Sequence, residues 1–358
     1  MPVATPLTAM APCRPFARFI VIAALVVAAA AGAQVPQVVE RVDVSRVVVD
    51  LHVLTADGRP LRGLSAADLR VTVDGKPVKI DSLRWTTGSV ALGDAAAPAR
   101  AGETPAPAHR PGRLLFLLFQ KDLEPSRLEG LMPMLRRAEE FVAALEPSDR
   151  VAVASFHSHL ELWADFTTDR AAVRAILTRS ILFAGRAGAL AGGDPPLLSQ
   201  AFDRDAGRRA GSMEQALVVV GRALAAIPGP KAVVLVGHGF GRMSGGTLQS
   251  AIVSLEADYT EARRLLIRAR ATVYCLDVTR ADSHTLETGL MSVAEDTGGF
   301  FVRTNWFPGQ AVSRLGEALS GHYELSVEKP ALPPGEHAIR VELAGRKGVV
   351  FARRTYVG

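Results

Sequence analysis

The chain reads as an α/β protein: a mostly parallel, doubly wound sheet with one antiparallel strand, plus a small β-sandwich-like module built from its two ends. Three observations predict this. From Arg113 onward, short apolar runs alternate with stretches of helical period, the order that gives parallel strands covered on both faces. Val151–Phe156 and Leu160–Phe166 are joined by only His157-Ser158-His159, too short a connection for anything but an antiparallel pair. Near the N-terminus Val47, Val49, Leu51 and Val53 alternate with Val48, Asp50 and His52, the period of two of a strand, and β patterning returns near the C-terminus.

The elements follow in order. Residues 1–33 predict a secretory signal peptide. Arg14 and Arg18 precede the apolar run Phe19–Ala31, and Ala31-Gly32-Ala33 supplies small residues before Gln34. That run is shorter than the roughly 20 residues a spanning helix needs. The expectation is an exported protein, periplasmic or extracellular, without a stable membrane anchor after cleavage. Residues 34–87 form the N-terminal β module, with turn chemistry at Ala56-Asp57-Gly58-Arg59-Pro60 and a short helical turn capped by Ser65. Strand Leu69–Val73 and the tight turn Asp74-Gly75 predict a hairpin into Val78–Leu83. Residues 88–112, rich in Ala, Pro and Gly, offer no core and read as a linker.

Residues 113–320 hold the α/β series. Strand Arg113–Phe119 leads to a helix over Ser126–Leu145, whose Leu128, Leu131, Leu135, Ala138, Phe141, Val142 and Leu145 fall at helical spacing. After the hairpin, Thr168-Asp169 caps a helix over Arg170–Leu177, and Ser212 caps another running to Ala226. Strand Lys231–Val236, a helix over Thr247–Arg270, strand Thr272–Leu276, a helix over His284–Thr297, strand Phe300–Arg303 and a helix over Gln310–Leu319 complete it. Residues 321–358 carry strands Tyr323–Val327, Ala338–Leu343 and Val349–Tyr356, which pair with 34–87 in this reading.

Composition narrows the function. At 358 residues, 48% hydrophobic and 22% charged, the chain has globular values. Its net charge of +5 includes the two leader arginines, and no basic block interleaved with aromatics marks a nucleic-acid partner. Cys13 lies in the leader and Cys275 inside an apolar strand, so Cys275 reads as a buried, inert thiol.

Four segments carry a resemblance. They are Val49–Val53 with Asp57-Gly58-Arg59-Pro60 and Gly63–Leu69; Asp149–Val153 with Asp165–Arg170; Ile227–Leu235; and Thr297-Gly298-Gly299 with Tyr323-Glu324-Leu325 and Arg354-Thr355-Tyr356. In order and spacing the chain resembles von Willebrand factor A-like domain proteins, more closely the secreted von Willebrand A-related proteins abundant in Acidobacteria. The resemblance implies protein–protein recognition at the carboxyl edge of the sheet. It also implies a divalent-cation site there, built from a D-x-S-x-S turn, a Thr and a second Asp, a set of hard oxygen ligands suited to Mg²⁺.

This chain departs from that pattern. Gln120 stands where the first Asp would, Asp122 and Glu124 where the two serines would, Ser212 at the Thr position and His238 at the second Asp. Imidazole is a poor Mg²⁺ ligand. The expectation is therefore a degenerate adhesion site with no metal and no cofactor, and a partner-binding rim of Gln120, Asp122, Glu124, Ser212 and His238 facing an unknown protein. Two alternatives stay open: an envelope hydrolase using His238 with Asp122 or Glu124, and a purely structural envelope component. Gly237-His238-Gly239-Phe240-Gly241 is similar to a hydrolase oxyanion loop, but no G-x-S-x-G occurs in the chain. His157 and His159 read as a solvated hairpin tip, the charges between Asp203 and Arg209 as a solvated loop, Trp163 as core and Trp306 as an exposed loop anchor. Asp277 reads as a strand-end residue held by capping or a salt bridge.

Overall fold

The computed structural model describes residues 46–87, 112–122, 124–183, 192–193, 195–244, 252–255, 257–304 and 307–358. The expected leader, nearly all of the linker, Leu123 and Trp306 lie outside the described residues. Strands β1 (Arg46–Leu54), β2 (Leu69–Val73), β3 (Lys76–Pro77) and β4 (Ile80–Thr86) precede β5 (Leu114–Gln120) and helix α1 (Pro125–Ala143). Then come β6 (Arg150–Phe156), β7 (Leu160–Thr167) and α2 (Arg170–Ala175), which continues through a π turn at Ile176–Ser180 into α3 (Ile181–Phe183). Helices α4 (Arg204–Arg209) and α5 (Met213–Ala225) lead to β8 (Lys231–Gly237), β9 (Arg242–Ser244) and β10 (Ile252–Ser254). The rest is α6 (Ala257–Arg268), β11 (Ala271–Asp277), α7 (Glu287–Thr297), β12 (Phe301–Arg303), α8 (Pro308–Leu319), β13 (His322–Glu328), β14 (Glu336–Leu343), β15 (Val349–Ala352) and β16 (Thr355–Val357).

The central sheet has the order β12-β11-β8-β5-β6-β7, parallel throughout except for β7. Alternate residues of β5 show the two-sided burial of a central parallel strand. Leu114, Phe116 and Leu118 pack with the apolar faces of α5, α6 and α7. Leu115, Leu117 and Phe119 pack with α1, α2 and α8. This is the doubly wound, mostly parallel α/β arrangement with one antiparallel strand expected from the sequence.

The terminal strands pair with one another. One sheet runs β15-β1-β13-β4 and the other β16-β14-β2-β3, and they share a third apolar core that includes Val49, Leu51, Val71, Tyr323, Leu325 and Ile339. The Tyr323 hydroxyl closes it by accepting from Leu64 N–H at 3.0 Å and donating to Leu61 C=O at 3.1 Å.

Three local expectations need correction. The hairpin after Asp74-Gly75 is only Leu69–Val73 with Lys76–Pro77; Ile80–Thr86 crosses to the other sheet and pairs with β13. The helix expected over Thr247–Arg270 begins at Ala257, because Ile252–Ser254 pairs with Arg242–Ser244 as a small ribbon. The last expected strand breaks at Arg353-Arg354, so β15 joins β1 and β16 joins β14 in different sheets. No helix among the described residues is long and apolar enough to cross a membrane.

Candidate functional site at the carboxyl edge of the sheet

β5, β8 and β11 end side by side, with Phe119 opposite Val236 and Gly237 opposite Asp277. Loops at this edge hold the ligands of open α/β sheets. Gln120, the last residue of β5, turns its amide into the protein and is only 6% exposed. Its Oε1 accepts from His238 N–H at 3.1 Å and Gly239 N–H at 3.2 Å, and its Nε2 donates to Gly239 C=O at 2.7 Å. The next loop is thereby bound to the first strand through one side chain.

The glycines of that loop are required by space. A Cβ on Gly237 would lie 2.5 Å from Gln120 Oε1, and Gly239 has φ +100° with a Cβ position 2.3 Å from Leu286 C=O. The loop is packed under the start of α7, where Phe240 N–H donates to Leu286 C=O at 3.1 Å.

Asp122 and Glu124 are held by their own turn. Asp122 accepts from Glu124 N–H at 3.0 Å and pairs with Arg127. Burial pushes its carboxyl up, but these hydrogen bonds and the Arg127 charge outweigh that and leave it below the usual carboxylate range. Glu124 caps α1, accepting from Arg127 N–H at 3.2 Å, and its bond from the Ser126 hydroxyl also holds its pKa down. His238 Nε2 lies 3.8 Å from Asp122 Oδ2, beyond hydrogen-bond range. Burial, helped by the Arg127 charge and opposed by Asp122 and Asp277, pushes His238 from 6.5 down to about 4. It is neutral at pH 7, and its Nδ1 has no hydrogen-bond partner among the described residues.

The structure thus brings Gln120, Asp122, Glu124 and His238 together. Ser212 stands apart in its contacts: its hydroxyl caps α5 by accepting from Gln215 N–H at 3.3 Å.

One set of residues escaped the sequence reading as a group. Asp277 is fully buried, its Oδ1 accepting from Thr279 N–H at 2.9 Å and its Oδ2 lying 2.8 Å from His284 Nε2. Glu287, in the first turn of α7, receives Arg303 through two contacts of 2.8 and 2.7 Å. One ligand-capable atom from each of Asp277, His284 and Glu287 lies within 4.8 Å of the others. The available signal was weak, an acidic strand end followed within ten residues by a His and a Glu, because His284 lies in the loop before α7 and shares no helical period with Glu287.

Among the other candidates, the charged stretch expected as a loop is instead capped by Asp203 and forms α4, while the rest that are described fall where expected. His157 and His159 are exposed at the hairpin tip. Trp163 is buried and donates to Ser155 Oγ at 2.8 Å. Cys275 is a buried free thiol whose pKa burial raises well above its usual value. Phe307, beside Trp306, is 64% exposed at the start of α8.

No protein-family profile matches the chain, and no curated protein does. Solved structures with a similar fold include a von Willebrand factor type A protein from Catenulispora acidiphila, at 12% identity and a TM-score of 0.40, covering 69% of this chain and 66% of that one. Another is the BatB protein of Bacteroides thetaiotaomicron, at 15% identity and 0.35, covering 58% of this chain and 98% of that one. A third is the manganese-loaded TRAP protein of Plasmodium vivax, at 13% identity and 0.37, covering 68% and 93%. The likeness concerns the fold alone.

Proposed function

We propose that the chain is an exported, non-enzymatic recognition module that docks a protein partner on the rim around Asp122, Glu124, His238 and Phe307, without Mg²⁺ at the Asp122–Glu124 turn. The observation that carries this reading is the use of Gln120. The residue at the position of the first metal-binding Asp spends both of its polar atoms on the backbone of the neighbouring loop. Asp122 and Glu124 are similarly engaged by Arg127 and Ser126, so both carboxylates of this turn already have partners within the protein.

The same bonds argue against the hydrolase alternative. An oxyanion hole needs backbone N–H groups free to meet developing charge, and those of His238 and Gly239 already serve Gln120. The 3.8 Å gap between His238 and Asp122 also leaves these two groups out of the direct contact that acid–base work needs. Phe307, exposed four residues beyond the carboxyl end of β12, gives the same edge of the sheet a large aromatic of the kind that anchors interfaces.

A cross-linking pull-down from the native cell envelope, with the full chain as bait, tests the reading. The expected result is a captured partner that is lost with Asp122→Arg and with Phe307→Ala, retained with Arg84→Ala on the β module, and indifferent to Mg²⁺. Capture unchanged by both rim substitutions, or dependent on Mg²⁺, overturns it.

A further inference from the structure

We propose that Asp277, His284 and Glu287 form a binding site for a transition-metal ion, with Zn²⁺ as its best occupant. This goes beyond the docking reading, does not depend on it, and departs from the metal-free expectation drawn from the sequence. The three side chains come from the end of β11, the following loop and the first turn of α7. Their ligand-capable atoms lie within 4.8 Å of one another. In a tetrahedral zinc site with bonds of about 2.0 Å, ligand atoms sit about 3.3 Å apart, so the side chains need to close by no more than about 1.5 Å.

The donor set selects the metal. One imidazole and two carboxylates form a nitrogen–oxygen shell of the kind Zn²⁺ accepts, whereas Mg²⁺ favours oxygen alone. The carboxylates keep acceptor capacity for an ion. Each offers about four lone-pair directions, and Glu287 gives two contacts to Arg303 while Asp277 gives one to Thr279 N–H. The ion would take the place of the proton shared between His284 Nε2 and Asp277 Oδ2, now 2.8 Å apart. Arg303 then acts as an outer partner that orients Glu287, as supporting groups do in metal sites.

A second, independent observation lies next to the cluster. His238 follows Gly237, which is paired with Asp277 and accepts from Val278 N–H at 2.8 Å. The His238 ring is only 8% exposed, yet its Nδ1 has no partner among the described residues. A buried ring nitrogen left unmade costs about 1–3 kcal/mol. Three protein ligands leave a fourth position for water, and a metal-bound water supplies the kind of donor that this nitrogen lacks.

The test is a calorimetric titration of the full chain with Zn²⁺ at neutral pH, for wild type and for Asp277→Asn, His284→Gln and Glu287→Gln. Urea unfolding of each variant accompanies it. The expected result is one ion per chain, with affinity reduced at least about 100-fold in the ligand variants and unchanged in Asp122→Asn and in the double variant His157→Ala/His159→Ala. X-ray absorption of the zinc-loaded wild type needs no variant to fold, and should show one imidazole in an oxygen-rich shell without sulfur. Absence of saturable binding overturns the proposal and identifies the cluster as an ion-pair network. Binding abolished by the hairpin histidine substitutions, or a shell containing sulfur, overturns it equally. Because Asp122 and Mg²⁺ play no part, failure here leaves the docking reading standing, and the reverse also holds.

Discussion

Gln120 makes three hydrogen bonds with one side chain, and all three end on the loop after β8. Gln120→Ala leaves two N–H groups and a carbonyl buried without that partner, so it should cost about 2–4 kcal/mol in urea unfolding, while Asp122→Asn, at a partly exposed ion pair, should cost less than about 1 kcal/mol. Equal losses would contradict this division of labour. His52 gives a pH test. Its ring is buried beside Tyr274 and His322, and burial, reinforced by the His322 charge, pushes its pKa from 6.5 to about 3. The unfolded chain takes up this proton near pH 6.5 and the folded one refuses it until about 3. Stability from this group is therefore complete above 6.5 and is lost as pH falls through that window, by about 2 kcal/mol between pH 6.5 and roughly 5. His52→Phe should flatten that part of the stability profile; an unchanged slope would assign it to another group. The departure at Gln120 was legible in the sequence, but not its inward turn, since a strand-end amide can face either way. Asp277, His284 and Glu287 were visible only singly, because the loop that gathers them has no periodicity to read.

The main strands and helices were legible because burial on both sheet faces writes continuous apolar runs into β5, β8 and β11, and a helical stripe into α1 and α5. What escaped lies where strand pairing, rather than the local pattern, decides the element. Ile252–Ser254 became a strand against Arg242–Ser244, although the helical pattern that follows it extends plausibly backward. Val349–Tyr356 carries an unbroken strand signal, yet Arg353 donates to Val48 C=O at 2.7 Å and the chain changes sheets there. The loop after β8 offers the sharpest test at this scale. Gly239→Ala introduces a Cβ at positive φ and 2.3 Å from the Leu286 carbonyl. It should destabilise by more than about 1 kcal/mol and loosen the start of α7, seen as faster amide exchange at Leu286–Gly289. Unchanged exchange would show that the loop and α7 are not mechanically joined.

Across the whole molecule, the β strands and the α/β sheet are tied by Arg270, which lies at the turn between α6 and β11. It pairs with Asp50 on β1 and with Glu324 on β13 at 3.1 Å, and these charges are mostly shielded from solvent. Removing one partner of such a cluster leaves uncompensated charge, so Arg270→Met should cost about 3 kcal/mol. If the β module folded independently, the variant would instead unfold in two separated transitions. This unit presents at one edge a rim whose neighbouring loops are joined by the side chain of Gln120. The most direct test is a calorimetric titration of the full chain with Mg²⁺. The account predicts no saturable binding at the Asp122–Glu124 turn even at millimolar Mg²⁺, whereas a sub-micromolar Mg²⁺ site that disappears with Asp122→Asn would contradict it.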